Sequence, residues 1–165
     1  MELELPDDLE ITELDISNKG LTNLPDLSKY TKLKKLYCSK NKLTSLDNLP
    51  PNLKVFHLST HKYDHEFNFL PQSLLYFKLS VLVRNFTELI NLPNSLEVIY
   101  IGINCIYGIY MYNKINKKLS IIVPENAKLY VDKQIKSEIN IINNDIKQIE
   151  SNDIPHNVYE KYRDM

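Results

Sequence analysis

The chain reads as a single parallel-strand solenoid, and three observations predict it. A short pattern recurs every 20–22 residues. Each copy carries an apolar-x-apolar run, the period of a half-buried strand, and in the best copies an asparagine follows that run to turn the chain.

The copies can be taken in order. Three of them, "LPPNLKVFHLS", "LPQSLLYFKLS" and "LPNSLEVIYIG", place their key leucine at Leu53, Leu74 and Leu96, steps of 21 and 22 residues. Upstream, "LKKLYCSKNKLTSL" starts at Leu33 and "ITELDISNKGLTNLPDL" at Ile11, steps of 20 and 22. Leu33, Leu36, Cys38, Asn41 and Leu43 fit the pattern best, together with Leu96, Ile99, Ile101, Asn104 and Ile106. In each unit the strand sends alternate residues into the core, and the asparagine amide satisfies backbone groups of the bend. The leucines that follow line the return path, and the next unit covers what the last leaves bare. Elsewhere the asparagine position holds Lys19, His61, Leu82 and Pro124, which interrupts an asparagine ladder.

Downstream, "EINIINNDIKQI" restores the register with Ile139, Ile141, Asn144, Ile146 and Ile149, a unit starting at Lys136. The unit between would start at Asn116, with "LSIIVP" as its strand and Leu119, Ile121 and Pro124 in the key positions. The predicted organisation is an N-terminal cap over 1–10, then about seven repeats at 11–32, 33–52, 53–73, 74–95, 96–115, 116–135 and 136–152. A C-terminal cap over 153–165 completes it, with Asn157 capping a short helix whose Val158 and Tyr162 face inward.

The spacing L-x-x-L-x-L-x-x-N-x-L resembles that of the leucine-rich-repeat family over roughly residues 9 to 150. The short period and the "LP-x-S/N-L" step are most similar to leucine-rich-repeat effectors of pathogenic bacteria and to the FNIP-type repeats of amoebae and giant viruses. Heavy use of isoleucine, asparagine, lysine and tyrosine fits the AT-rich genome of a giant DNA virus or amoeba. The resemblance implies an α/β-type leucine-rich-repeat solenoid, a horseshoe with one short parallel strand per repeat, mostly extended return segments and little helix beyond the C-terminal cap. It also implies a non-enzymatic protein–protein interaction module.

Composition narrows the function classes. Twenty basic against 21 acidic residues give a net charge of -1 and a pI near 6.4, without the basic excess that nucleic acid or an anionic membrane requires. No apolar run approaches the roughly 20 residues of a membrane span. The acidic start "MELELPDDLE" has no secretory pattern, and two cysteines suit a reducing cytosol, the host cytoplasm for a viral protein. A monomer, or weak self-association, is expected.

The stretch "HLSTHKYDHEF" raises an enzyme alternative. On a helix, His57, His61 and His65 would share a face and could hold zinc, with Glu66 as a base. In the strand register they scatter instead: His57 points outward, His61 takes the asparagine position and His65 falls on the return path. No metal or other cofactor is therefore expected. Cys38 reads as a small core residue, and Cys105 follows Asn104 at a turn with no legible histidine or acid around it. A metal-dependent or thiol enzyme using these residues is one alternative function; a structural or particle component acting by self-association is another.

Binding then falls to the concave strand face, which the columns of outward residues describe. They run from polar ends (Glu13, Asp15, Lys35; Lys118, Glu138) to a middle holding Tyr37, Val55, His57, Tyr76, Lys78, Val98, Tyr100 and Ile103. These eight are the candidate partner-binding residues, because exposed apolar groups rimmed by polar ones mark interaction sites and tyrosine is enriched at hot spots. The tyrosines are expected to be solvent-exposed and to contribute little to folding. The loop "STHKYDHEFNF" and the tyrosine-rich "YGIYMYNKINKK" are the adjoining contributors.

Overall fold

The structure, a computed structural model, describes residues 3–60, 70–81, 88–89, 91–103, 119–132, 139–143, 149–150, 156–163 and 165. His61, His65, Glu66, Asn104, Cys105, Ile106, Asn144 and Ile146, and with them most of the two loops named above, lie outside the described residues. Ten strands and one helix are described. In chain order they are β1 (Glu13–Asp15), β2 (Lys35–Tyr37), β3 (Val55–Thr60), β4 (Tyr76–Val81), β5 (Glu88–Leu89), β6 (Val98–Ile103), β7 (Leu119–Ile121), β8 (Lys128–Val131), β9 (Ile139–Ile141), β10 (Ile149–Glu150) and α1 (His156–Arg163).

One sheet has seven strands in the order β1-β2-β3-β4-β6-β8-β10, all parallel. Its register follows the repeat: Glu13 pairs with Lys35, Lys35 with Val55, Val55 with Tyr76 and Tyr76 with Val98. Parallel neighbours require a return path between them, and each unit supplies one. With almost no helix, this is the parallel-strand solenoid the repeat predicts.

Alternation along the strands divides the sheet into two faces. The inner residues Leu14, Leu36, Phe56, Leu58, Phe77, Leu79, Ile99, Ile101, Leu129 and Val131 join one continuous core with the return-path leucines. Phe56 and Phe77 stack there, ring centroids 5.6 Å apart. The N-terminal segment closes one end: Leu3 and Leu5 pack on this core, and the Tyr30 hydroxyl donates to the Pro6 carbonyl at 2.6 Å.

Two side-chain devices join consecutive units. Asn41, fully buried, accepts from the Lys19 and Leu21 amides (3.0 and 3.1 Å) and donates to the Ile16 and Cys38 carbonyls (2.9 and 3.0 Å). That is the role its position in the repeat predicts, and it links one unit's bend to the next. The second device explains the small polar residue of the "LP-x-S/N-L" step. Asn52 donates to the Thr31 carbonyl (2.9 Å), Ser73 to that of Leu53 (2.8 Å) and Ser95 to that of Leu74 (2.7 Å). Each reaches a carbonyl 20 or 21 residues back, one repeat period along the chain.

The strand assignment after β6 differs from the sequence reading. β7, the "LSI" segment, is not in the seven-stranded sheet; it lies in a second, parallel sheet ordered β5-β7-β9, together with Ile139–Ile141. The place beside β6 is taken by "KLYV", with Val98 paired to Lys128 and Tyr100 to Tyr130, a step of 30 residues. The reason lies in "VPENA". The Ala127 amide donates to the Pro124 carbonyl at 2.9 Å, the same tight turn that Leu74 makes on Pro71 (3.0 Å) and Leu96 on Pro93 (3.1 Å). Pro124 is thus the proline of an "LP" step, not a substitute for asparagine, and a strand must follow it. The second sheet faces the shared core through Leu89, Ile121 and Ile139.

Helix α1 forms where Val158 and Tyr162 stand at i and i+4, with Lys161 and Arg163 in the last turn to complement the helix dipole. Arg163 also bridges Glu160 at 2.7 Å. It starts one residue before the predicted cap at Asn157. Instead of closing the end of the stack, it lies against the outer face of the seven-stranded sheet.

Candidate interaction surface

The outer face is set by register. Its first column runs Glu13, Lys35, Val55, Tyr76, Val98 and Lys128; its second runs Asp15, Tyr37, His57, Lys78, Tyr100 and Tyr130. Both columns keep the inside-to-outside polarity that the sequence predicts. Ser120 and Asn140, which the repeat spacing would add to the second column, do not belong to it, because they lie in β7 and β9 of the other sheet; Lys118 and Glu138 lie outside the described residues. Tyr130 is the residue that sequence reasoning missed. Its signal was available in the step "VPENAKLYV", a degenerate copy of "LPNSLEVIY".

Exposure is where expectation and structure part. Tyr76 is 1 % exposed and Tyr100 6 %, and Val55 and Val98 are buried with them. The expectation that these tyrosines are solvent-exposed is therefore corrected. They form a second apolar cluster, separate from the main core, made of Val55, Tyr76, Val98, Tyr100, Tyr130 and Tyr162, with Val158, Met165 and Leu75 against it. The cover is α1. Sequence reading placed the helix correctly as amphipathic but assigned its apolar side to the end of the stack.

Polar contacts hold the helix down. The Tyr162 hydroxyl donates to Glu97 at 2.8 Å, and the Lys161 ammonium bonds to the same carboxylate oxygen. The Lys35 ammonium donates to the Arg163 carbonyl and also lies 3.4 Å from Glu13, so a buried cation meets the negative end of the helix. The tilted Tyr76 and Tyr162 rings approach to 5.2 Å. Hydrogen bonds from Lys161 and Tyr162 keep the Glu97 carboxyl below its ordinary range, while burial, and then the bond to Glu97, raise the Tyr162 phenol.

Beside the covered strip, Tyr37, His57 and Lys78 remain half-buried. His57 lies between two tyrosines, edge-on to Tyr37 at 4.7 Å and tilted against Tyr76 at 5.4 Å. Burial lowers its imidazole to about 3; Lys78 pushes the same way and Asp15 opposes. The ring is therefore neutral at physiological pH. Lys78 lies over the Tyr100 ring at 5.2 Å. Tyr100 in turn folds over Gly102, where an added Cβ would come within 2.6 Å of the ring, so glycine leaves room for the tyrosine. Ile103 ends β6 in the register expected, paired with Val81.

Cys38 is in the main core, as its strand position predicts, and burial, with Asp15 adding to it, raises its thiol well above the ordinary value. Among the described residues no group of three or more His, Cys, Asp or Glu side chains is placed to hold a metal ion. Among them, too, no helix is long and apolar enough to cross a membrane.

Comparison with known proteins agrees with this geometry. Residues 10–51 match the family model for leucine rich repeats, in two copies. No curated protein matches the sequence. The matched span takes in β1, β2 and the asparagine bridge between their units, and the same sheet runs on through β10. Residues 10–51 are two leucine-rich repeats, and the fold they open is a leucine-rich-repeat solenoid.

Proposed function

We propose that the chain is a non-enzymatic protein-binding module that meets its partner on the outer face of the seven-stranded sheet. Leucine-rich-repeat domains generally mediate protein–protein interaction and are typically non-enzymatic. One observation carries the reading to this face: Val55, Tyr76, Val98, Tyr100 and Tyr130 make a contiguous apolar surface on the side away from the core. The solenoid already buries a complete core on the other side, so folding of the stack does not call for that second surface. Tyr37, His57 and Lys78 extend it with aromatic, neutral polar and cationic groups. The same balance of charge that disfavours nucleic acid favours a protein partner, and two cysteines fit a cytosolic setting.

The test is site-specific photo-crosslinking in cells, with a benzophenone side chain at Tyr37 or Lys78 and a control at Thr44 on the return path. Capture of the same protein from both sheet positions, and not from Thr44, is the expected result. Capture from Thr44 alone would move the surface to the return path, and capture from none of the three would end the reading.

A further inference from the structure

The outer face already has an occupant, and its mode of attachment is that of a ligand. Among the described residues, none of helix α1 belongs to the main core: Val158 and Tyr162 lie in the second cluster. It touches non-consecutive units, reaching Lys35 in β2, Tyr76 in β4, Glu97 beside β6 and the cluster that includes Tyr130 of β8. It therefore crosses the strands instead of extending them. A helix of 8 residues is about 12 Å long and spans two to three strand spacings. It is also far below the roughly 12–15 residues that hold helix alone in water, so its order depends on docking.

The face recognises it by chemistry that another chain could present. The Tyr162 ring clusters with Tyr76, Val98, Tyr100 and Tyr130, tilted against Tyr76. Glu97 takes both the ring's hydroxyl and the preceding lysine, and Lys35 takes a carbonyl at the helix C-terminus. We infer that α1 is a resident, displaceable ligand. It keeps the outer face closed until a partner supplies a short amphipathic helix with a Lys–Tyr pair and an apolar residue four positions before the tyrosine. This inference rests on the protein-binding reading of that face and specifies its partner. Area supports it: seven strands about 4.8 Å apart and about 17 Å long expose roughly 500 Å² in projection, already short of the about 800 Å² per partner of a standard interface. α1 covers part of that face, so a partner confined to the open remainder falls further short than one that takes its site.

Two measurements on the full chain test this. In native-state hydrogen exchange of the wild-type protein, the amides of 160–163 should exchange at least about tenfold faster than those of Phe77 and Leu79. Exchange of both groups at one common rate would make α1 part of the cooperative core and overturn the inference. The second measurement uses a fluorescent peptide of residues 151–165 as probe, read by anisotropy. Tyr162→Ala or Lys161→Glu in the chain should raise affinity for the peptide about tenfold or more over wild type, because the competing helix is weakened. Lys161 is exposed, so its replacement leaves the fold in place. Adding Glu97→Gln should remove the gain, and a peptide carrying Tyr162→Ala should not bind. Absence of binding to either variant overturns the inference. A concentration-dependent dimer dissolved by the peptide also overturns it, assigning α1 to a second copy's face. Peptide binding without any crosslinked protein would leave the resident helix standing and remove the protein-binding reading instead.

Discussion

Between β1 and β2 the bend after the strand carries backbone bonds, from the Lys42 amide to the Leu21 carbonyl (2.7 Å) and from Thr44 to Thr22 (2.9 Å), and adds to them the buried Asn41, which makes four hydrogen bonds to backbone groups on both sides of the unit boundary. Around β7 and β9 the return path is held by backbone pairing, with Asn143 adding two bonds to the Val123 amide and carbonyl at 3.0 and 2.6 Å. The two regions solve one problem, the satisfaction of polar backbone inside a stack of apolar units. The first does it with backbone bonds and a buried residue at a defined position. The second does it with a sheet, which any sequence of suitable polarity can join. Loss of the asparagine motif is therefore not loss of the solenoid.

The severest challenge to this picture is a charge in the shared core. Leu36→Asp and Ile101→Asp each place an unpaired carboxylate among fully buried leucines, and both should unfold the chain or cost more than about 4 kcal/mol in chemical denaturation. If either melts like the parent, the inner face is misassigned.

Next in size are the adjoining residues Tyr76 and Phe77, one on each face. Phe77→Ala should cost about 3–5 kcal/mol in urea denaturation. Tyr76→Ala, against the expectation for an exposed tyrosine, should cost about 2–4 kcal/mol, because α1 buries its ring. A value below about 1 kcal/mol for Tyr76 would mean that α1 leaves this face in solution.

The comparison itself is tested by paired substitutions. Asn41→Ala removes the partner of two part-buried amides and two buried carbonyls and should lose about 3 kcal/mol. Asn143→Ala, half-buried and backed by the second sheet, should lose about 1 kcal/mol. Equal losses would erase the distinction between a side-chain ladder and a backbone one.

The mildest effect is on pH. The folded pKa of His57, about 3, lies below its ordinary 6.5, so the unfolded chain binds the proton more readily between those values. Stability from this group is complete above about pH 6.5 and falls as pH drops toward 3. Near pH 5 the loss should be about 2 kcal/mol, read as a lower urea midpoint than at pH 7. His57→Gln should flatten that step. An unchanged step would show that other histidines produce it.

Several features were legible from residues alone. The period, the apolar-x-apolar run and the proline step fixed which residues of β1, β2, β3, β4 and β6 face the core, because a strand offers only two sides and the wrong one would drown leucines in water. The same reading found Asn41 as the residue that satisfies backbone groups of the bend, and Val158 with Tyr162 as the apolar side of a helix. It misplaced the strand after β6 because "LSIIVP" and "VPENAKLYV" carry equally apolar alternation. What separates them is which backbone each one pairs with.

The cover on the outer face belongs to the tertiary structure alone. Strand alternation puts tyrosine and valine on that face, and an amphipathic helix follows about 80 residues beyond the central strand, but neither local pattern names the other as its partner. Helix and sheet meet because Glu97 and Lys35, far apart in the chain, lie where the helix offers a Lys–Tyr pair and its terminal carbonyl. Sequence determines which side of a strand is apolar, through the two-residue period. Whether that side is open or closed is set by long-range contact, whose free energy no local window contains.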